Sequence, residues 1–237
     1  MADSIAYVLS TRPLSPTLIA EAAAKGITID VVPAIVTAKL QDEKLSQQLV
    51  ELSHRSLTAV FTSVNAVTAI ENADTAIENA ARWKIFCLSG ATRRAVEERF
   101  GAIAGMADSA AQLAELMITT GPPGECWFFC GDKHRSELPD RLKAAGWQVH
   151  EVVVYQTILT PHRMSKRYDA VVFFSPSAVE SFFSMNTIEP HVTVYAIGRT
   201  TAAAICAKCP NRVVTSELPD EQILIRTIIS HHDYTKE

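Results

Sequence analysis

The sequence predicts an α/β protein made of two similar units, each with a parallel sheet. Short apolar runs rich in β-branched and aromatic residues alternate with helical runs almost throughout the chain, which is the pattern of successive βαβ units. One short phrase occurs twice, as VFTSVNAV at 60–67 and as VFFSPSAV at 172–179. Hydrophobic residues make up 48% of the 237 residues, which is enough for a substantial core.

Turn and cap residues delimit the elements of the first half. Ser15 followed by Pro16 indicates the N-cap and first position of a helix. Gly26 ends that helix, Pro33 interrupts the strand after it, and Gly101 ends a later helix. We predict strands at 5–9, 27–32, 58–62, 84–88 and 103–107, and helices at 16–25, 42–53, from 65 onward, 91–100 and 109–120.

The strongest punctuation is GPPG at 121–124, after which the alternation of strands and helices restarts. Gly146 ends the first helix of this half, as Gly26 does in the first half. We predict strands at 126–130, 147–159, 169–174, 193–198 and 212–215, and helices at 136–145, 177–183, 199–208 and 219–231.

Three segments of the second half match the first half in the same order. Gly146 falls on Gly26 at an offset of 120, VFFSPSAV on VFTSVNAV at 112, and IGRTTAAAI (197–205) on LSGATRRAV (88–96) at 109. Collinear matches with a slowly drifting offset indicate an internal duplication. The overlay alone would place the boundary between the two units near GPPG.

The repeated phrases lie where strands end and helices begin. In an open parallel sheet this edge binds ligands, and its free N–H groups and helix dipoles favour carboxylate or phosphate. Taken singly, Ser, Thr and Asn are ordinary helix caps, but their matched pairs favour two anion-binding edges. The candidates are Ser63, Asn65, Ser175 and Ser177 in one pair of phrases, and Thr92, Gly198 and Thr201 in the other.

Two basic residues and one tyrosine accompany these edges. Arg12 and Arg199 lie in predicted strand-to-helix loops, where each is either an anion ligand or a solvated surface residue. Tyr155 ends the run VVVY in a long strand, where a tyrosine is usually part of the core. Pro33 and Pro161 bracket segments that could cross between the units. Near such a crossing, Tyr155 could donate a proton to a leaving hydroxyl.

Composition and motifs argue against several functional classes. A net charge of −4 and a pI of about 6.0 lack the basic excess of a nucleic-acid binder. We find no signal peptide and no apolar run of membrane-spanning length, and expect a cytoplasmic protein. HExxH, GxSxG, P-loop and GxGxxG motifs are missing from the sequence, so we expect no metal and no cofactor. Cys206 and Cys209 form a lone CxxC and are expected to be ordinary thiols.

In their order and spacing, these segments resemble the uroporphyrinogen-III synthase family of tetrapyrrole biosynthesis. The resemblance covers nearly the whole chain, and no single segment is specific by itself. Val64 and Ser89 depart from the family, which usually has Pro and Gly there, and Ser89 would narrow the approach of a ligand to the backbone. The matching segments are STRP at 10–13 with Gly26 and Pro33, FTSVNAV, the S-x-x-T of Ser89 and Thr92, Gly131 with Arg135, Leu138, Leu142 and Gly146, VVVYQT, FFSPSAV, and the G-x-x-T of Gly198 and Thr201.

The resemblance implies two flavodoxin-like α/β domains, joined by a two-stranded linker, with a cleft between them. One domain would comprise 1–35 plus 162–237, and the other 36–161. The implied reaction is the cofactor-free cyclisation of hydroxymethylbilane, a linear tetrapyrrole polycarboxylate, to uroporphyrinogen III. It proceeds with loss of the terminal hydroxyl as water and inversion of the terminal ring through a spiro intermediate.

The same resemblance assigns roles to the candidate residues. Tyr155 matches the tyrosine that would assist departure of the hydroxyl. Thr92 and Thr201 match paired threonines of the family, and the serines and asparagine of the repeated phrases match its cleft lining. The implied substrate-binding set is Arg12, Ser63, Asn65, Thr92, Ser175, Ser177, Gly198 and Thr201.

The implied protein is a cytoplasmic monomer that binds its small-molecule polycarboxylate substrate and neither nucleic acid nor membrane. A transient contact with the preceding enzyme of the pathway is compatible with this. An alternative is a non-catalytic tetrapyrrole- or anion-binding regulatory paralogue, which would be expected to lose Tyr155 or the paired threonines. A generic flavodoxin-like or receiver-type domain would carry an acidic cluster and a lysine pocket at its strand ends, and the sequence shows neither.

Overall fold

The computed structural model describes residues 7–71 and 82–234, so Ile5 and Ala6 of the first predicted strand lie outside the described residues. The strands are β1 (Tyr7–Ser10), β2 (Thr28–Val31), β3 (Ile35–Lys39), β4 (Thr58–Phe61), β5 (Lys84–Leu88), β6 (Gly105–Ala107), β7 (Glu125–Gly131), β8 (Gln148–Leu159), β9 (Ala170–Phe173), β10 (Thr193–Ala196) and β11 (Val213–Thr215). The helices are α1 (Pro16–Ala24), α2 (Glu43–Ser53), α3 (Val64–Glu71), α4 (Ala91–Phe100), α5 (Ala110–Thr120), α6 (Glu137–Ala144), α7 (Pro176–Phe183), α8 (Arg199–Cys206) and α9 (Glu221–Tyr234).

The chain folds into two compact units. Unit 1 comprises residues 1–36 and 158–237, and unit 2 comprises residues 37–157. Each unit is built on one sheet with parallel strands, so the predicted α/β class and the pair of similar parallel-sheet units are confirmed.

The sheet of unit 1 has the strand order β11-β10-β9-β1-β2, and all its neighbouring strands are parallel. Numbered along the unit, this order is 5-4-3-1-2, the flavodoxin-like doubly wound arrangement read from its other edge. From β1 the chain continues to β2 on one side of the β1/β9 pair, and from β9 it continues to β10 and β11 on the other side. This pair is therefore the topological switch point, where open parallel sheets bind ligands.

The sheet of unit 2 has the order β3-β8-β7-β4-β5-β6. Its strands β4 to β8 are parallel to one another, and its switch point lies between β4 and β7. Backbone hydrogen bonds join Ala34 to Thr160 and Leu40 to Val154, and this opposite numbering makes β3 antiparallel to β8. These two strands form the two-stranded linker through which the chain passes between the units.

The two sheets share one spatial arrangement but not one chain order. The order β11-β10-β9-β1-β2 of unit 1 corresponds, strand for strand, to β6-β5-β4-β7-β8 of unit 2. The segment β1-α1-β2 opens unit 1, whereas its counterpart β7-α6-β8 closes unit 2. The units are therefore circular permutants of one another, and GPPG lies inside unit 2 rather than between the units.

Local sequence signals account for many helix boundaries. Ser15 and Ser175 accept hydrogen bonds from the backbone N–H groups three residues ahead, and a proline occupies the first position of each of these helices. Gly26 and Gly146 end α1 and α6 at φ 82° and 86°, in the left-handed region that favours glycine. Ser63 accepts from Asn65 N–H, so α3 begins at Val64, one residue before the predicted start.

Each sheet is covered on both faces, as expected of a parallel sheet between helices. Strand β7 shows this most clearly. Trp127 and Phe129 enter the core on one face, and Cys126, Phe128 and Cys130 enter the core on the other. The strand is therefore continuously apolar, and this is why its sequence lacks the alternation of a half-buried strand.

Two details differ from the sequence-based expectations. Strand β3 was not predicted from the pattern; it is the edge strand beside β8, and its five residues are half-buried or exposed rather than a buried apolar run. Helix α9 continues to Tyr234, beyond the predicted end at 231, and contains both His231 and His232. His232 is buried, and Tyr195 Oη lies 2.9 Å from His231 Nδ1, where burial lowers the pKa of the imidazole.

Candidate active site

The predicted site residues lie at the carboxyl ends of the strands in each unit. In unit 1, Arg12 follows β1, Ser175 and Ser177 follow β9, and Gly198 and Thr201 follow β10. These three strands are neighbours in the sheet, so unit 1 brings all five of these residues to one edge. We call it the unit 1 edge.

In unit 2, Ser63 and Asn65 follow β4, and Thr92 follows β5. Tyr155 lies on β8 opposite Gly131, the last residue of β7. These strands are also neighbours, and the four candidate residues share what we call the unit 2 edge. Each edge includes the switch point of its sheet.

The loop after β1 is fixed by its own hydroxyl groups. Ser10 Oγ donates to the Arg12 carbonyl at 2.7 Å, and Thr11 Oγ1 donates to the Val172 carbonyl of the neighbouring strand at 2.7 Å. Both side chains are fully buried. These hydrogen bonds fix the backbone at Arg12, and Arg12 is the residue of STRP whose side chain carries charge.

The Arg12 guanidinium contacts an acid and an aromatic ring of its own unit. Its Nη2 lies 2.5 Å from Oε2 of Glu221, the first residue of α9. Its Cζ lies 4.1 Å from the centre of the Phe174 ring, within the range of a cation–π contact. Its Nε is buried without a hydrogen-bond partner among the described residues. The Arg12 guanidinium is thus already paired with a carboxylate of its own unit.

The helix starts of unit 1 have different caps. Ser175 Oγ accepts from Ala178 N–H at 3.1 Å, so this hydroxyl is engaged in capping α7, and Ser177 is half-buried in the first turn. Gly198 caps α8 in an extended conformation, and the space where a Cβ would point is open. Thr201 is buried, with 1% of its surface exposed.

The corresponding helix start of unit 2 contains the departure from the family pattern. Gly90 is the N-cap of α4, at φ 74°, one residue later than the cap position that Gly198 occupies in unit 1. Ser89 Oγ lies 2.5 Å from the Asp108 carboxylate, and its N–H donates to the Ala107 carbonyl. The Ser89 side chain is thus directed to Asp108. Thr92 is buried at the start of α4.

The Tyr155 phenol is held by hydrogen bonding and by the shape of the backbone. Its Oη lies 3.4 Å from Ser63 Oγ, which also accepts from Asn65 N–H at 3.2 Å. A Cβ placed on Gly131 would lie 2.5 Å from Cε2 and Cζ of Tyr155, so the ring occupies space that any other residue at 131 would fill. A shallow pocket beside the ring is lined by Thr37, Lys39, Asn65, Thr68, Ala69 and Tyr155.

The pairing of β7 with β8 is irregular at the end of β7, and this irregularity places Gly131 beside the Tyr155 ring. The β7/β8 register shifts between Cys130 and Gly131, so that Gly131 pairs with Tyr155. Asp132 N–H donates to the Tyr155 carbonyl at 3.1 Å, and Thr157 N–H donates to Asp132 Oδ1 at 2.8 Å. A bulge of this kind changes the direction of a side chain. Here it brings the Tyr155 ring next to Gly131, which has no side chain.

A charged cluster continues from this bulge. His134 Nδ1 lies 2.9 Å from the Gly131 carbonyl, and His134 Nε2 lies 2.8 Å from Glu151. Lys143 Nζ donates to Glu151 at 2.6 Å, and this ammonium holds the pKa of the Glu151 carboxyl below its ordinary value. Both partners of the His134 ring are hydrogen-bond acceptors.

A family model described as uroporphyrinogen-III synthase HemD matches residues 16–226, which is most of the chain. The chain belongs to the uroporphyrinogen-III synthase family. Family and fold thus agree with the resemblance of the strand-end segments. A sequence comparison with curated proteins gives no match.

Solved uroporphyrinogen-III synthases share the fold of this chain. A mutant enzyme from Thermus thermophilus is 17% identical with a TM-score of 0.66, covering 98% of this chain and 99% of that chain. The wild-type Thermus enzyme is 18% identical with a TM-score of 0.52 and the same coverages. The Helicobacter pylori enzyme is 14% identical with a TM-score of 0.65, covering 95% and 99%. At these identities the likeness establishes the fold.

Three residues that contact the candidate site residues were not predicted as site residues from the sequence. Glu221 and Phe174 contact Arg12, and Gly131 makes room for Tyr155. Gly131 was recognised as part of a family segment, but its contact with Tyr155 depends on the pairing of β7 with β8. Glu221 is 209 residues from Arg12, and no local signal connects the two.

The described residues hold no group of three or more His, Cys, Asp or Glu placed to bind a metal. Cys206 is exposed and Cys209 half-buried, and both are free thiols. Burial raises the pKa of Cys126 and Cys130 to about 12, which keeps these thiols protonated. Within the described residues, no helix has the length and apolarity that would be needed to cross a membrane.

Proposed function

We propose that this chain cyclises hydroxymethylbilane to uroporphyrinogen III, with inversion of the terminal ring and loss of water. The observation that carries the proposal is the position of Tyr155 in a chain of this family. Its phenol lies at the unit 2 edge, within 3.4 Å of Ser63 Oγ, on the strand-end side where doubly wound sheets bind ligands.

We propose that the two edges supply the groups that bind the carboxylates of the substrate. Helix N-termini offer free N–H groups and the positive end of the helix dipole to anions. Arg12 adds a guanidinium, since a substrate carboxylate can replace that of Glu221. The set proposed for binding is Arg12, Ser63, Asn65, Thr92, Ser175, Ser177, Gly198 and Thr201.

We propose that Tyr155 is the proton donor to the departing hydroxyl. The bond between the terminal methylene carbon and its oxygen breaks, and the oxygen leaves as water after receiving the proton. Ser63 Oγ accepts from both Asn65 N–H and the phenol, so it holds the Tyr155 hydroxyl in place until the substrate takes over that hydrogen bond. Orientation of the folded bilane supplies the rest, because holding reacting atoms together replaces a costly ordering step.

The linker strands also suggest where the two domains begin and end. We propose that 1–35 plus 162–237 form one independently stable domain and that 36–161 form the other, joined through β3 and β8. Limited proteolysis followed by mass spectrometry tests this, with first cleavages expected near 35 and 161. Protease-resistant fragments that end near GPPG instead of near 35 and 161 would refute these boundaries.

The activity is tested with enzymatically generated hydroxymethylbilane, followed by oxidation and chromatographic separation of the type I and type III uroporphyrins. The type III isomer is expected in excess of the spontaneous type I product. Type I alone, formed at the spontaneous rate, would refute the synthase function. If the bilane then still bound, the chain would be the non-catalytic binding paralogue.

The role of Tyr155 is tested separately with Tyr155→Phe. This variant keeps the ring that packs beside Gly131 and removes only the hydroxyl, so the fold should survive. A general acid typically contributes about 10²–10⁴ in rate, and we expect turnover to fall at least several-fold. Unchanged turnover would remove Tyr155 from the mechanism while leaving the cyclisation itself untouched.

A further inference from the structure

A cavity of about 330 Å³ lies in unit 1, away from the unit 1 edge. Its walls are the segment 163–168, which precedes β9, and the segment 185–192, which connects α7 to β10. It therefore lies where β9 and β10 begin, whereas Ser175 lies where β9 ends. Helix α7 has eight residues, or roughly 12 Å of length, between Ser175 and this cavity.

Two asparagine side chains hold the walls of the cavity in place. The Asn186 amide nitrogen donates to the His162 carbonyl at 2.7 Å, and its oxygen accepts from Met164 N–H at 2.8 Å. One side chain thus ties the first wall to the end of α7. Asn211 donates to two backbone carbonyls of the second wall at 2.7 and 3.0 Å. The cavity is preformed, as ligand sites usually are.

One part of the cavity lining is apolar. Phe182 and Val192 line it and are buried. Met185 is 48% exposed, so a large apolar side chain lines the entrance. Such a surface favours the apolar body of a small molecule.

The rim of the cavity is cationic. Lys166 is paired with Asp30 at 2.8 Å, whereas Arg163 and Arg167 have no ion pair with any described residue. Glu189 is the one acidic residue that lines the cavity. The two arginines therefore leave an excess of positive charge beside an apolar surface.

We propose that this cavity binds a small organic anion with an apolar body, its charged group on Arg163 and Arg167 and its body against Phe182. The site is separate from the edge proposed for catalysis and does not depend on the proposed activity. A volume of about 330 Å³ lies at the lower end of the range of ligand pockets, roughly 300–1,000 Å³. The ligand is therefore of the size of one or two fused rings.

The test uses 2-naphthalenesulfonate, which combines two fused rings with one negative charge. Titration of the isotope-labelled full chain, followed by NMR, should move the amide signals of 163–168 and 185–192. The uncharged analogue 2-naphthalenemethanol and inorganic sulfate should each bind at least about tenfold more weakly. A charge-assisted contact and an apolar surface contribute together, and each analogue retains only one of them.

Two double variants locate the charge requirement. Arg163→Gln with Arg167→Gln should weaken binding of 2-naphthalenesulfonate at least about tenfold, because both guanidinium partners are lost. Arg94→Gln with Lys208→Gln removes the same net charge from exposed positions that do not line the cavity and should leave the affinity unchanged. Three results would overturn the proposal: signal changes confined to the surroundings of Ser175, equal binding of the uncharged analogue, or equal losses in the two double variants.

Discussion

Replacing Gly131 by alanine should displace the Tyr155 ring without changing any polar group. An ideal Cβ at 131 would lie 2.5 Å from Cε2 and Cζ of Tyr155 and 2.9 Å from its Oη. Carbon atoms in contact are about 3.5–4.0 Å apart, so the ring or the backbone must retreat by about 1 Å. A displacement of this size in a reacting group costs about 100-fold in rate.

The assay is the yield of the type III isomer from enzymatically generated hydroxymethylbilane, with kcat and KM measured separately. We expect kcat of Gly131→Ala to fall towards that of Tyr155→Phe, since both changes withdraw the phenol from the substrate. Gly124→Ala is the matched control, because nothing lies within 4 Å of a Cβ at that position and the residue belongs to the same unit. The control should keep its activity.

A stability measurement separates displacement of the ring from general damage. Overpacking typically costs about 1–3 kcal/mol, and urea unfolding should show such a loss for Gly131→Ala. In a Tyr155→Ala background the ring is gone, and the same glycine substitution should then cost less than about 0.5 kcal/mol. Equal costs in the two backgrounds, or a kcat equal to that of Gly124→Ala, would refute the contact as the cause.

Three further predictions concern charges and thiols. Glu221→Gln should lower KM by up to about fivefold, because Arg12 would no longer have to leave a partly exposed ion pair worth up to about 1 kcal/mol; an unchanged KM would exclude this competition. Iodoacetamide at pH 8 should label Cys206 in the native protein and leave Cys126 unlabelled, as mass spectrometry can show, since burial raises the pKa of Cys126 to about 12. The hydrogen bond from Lys143 holds the folded-state pKa of Glu151 below its ordinary value of 4.5. The stabilisation from the Glu151 carboxylate is therefore complete above pH 4.5 and is lost as the pH falls through the lowered pKa. Unfolding of Glu151→Gln should therefore depend less on pH in this acid range than unfolding of the parent, and identical acid profiles would contradict it.

Most of the elements were predictable because their signals are local. A buried run such as CWFFC indicates a strand, and Ser175 with Pro176 fixes a helix start, whatever the rest of the chain does. The duplicated phrases also located the unit 1 edge and the unit 2 edge, because a strand-to-helix transition in a βαβ unit always falls at the carboxyl end of a strand.

The contacts within the candidate site were less predictable, because they depend on strand pairing. The Gly131–Tyr155 contact exists because β7 pairs with β8 in a register that shifts by one residue at its end. The Arg12–Glu221 pair joins β1 to α9 across 209 residues. Short polar side chains and single charges recur throughout the sequence, and no periodicity indicates which of them meet.

The duplication predicted two units but not which segments join them, and the length of one strand supplies the missing information. As permuted copies, β1-α1-β2 and β7-α6-β8 could each complete either sheet. Strand β2 has four residues, whereas its counterpart β8 has twelve, or about 40 Å of extended chain. The second part of β8 therefore continues beyond the short sheet strands, pairs with β3, and leaves unit 2 before β9 begins. The unusually long predicted strand at 147–159 was thus the sequence signal for the linker, and GPPG, despite its strong turn character, lies within unit 2.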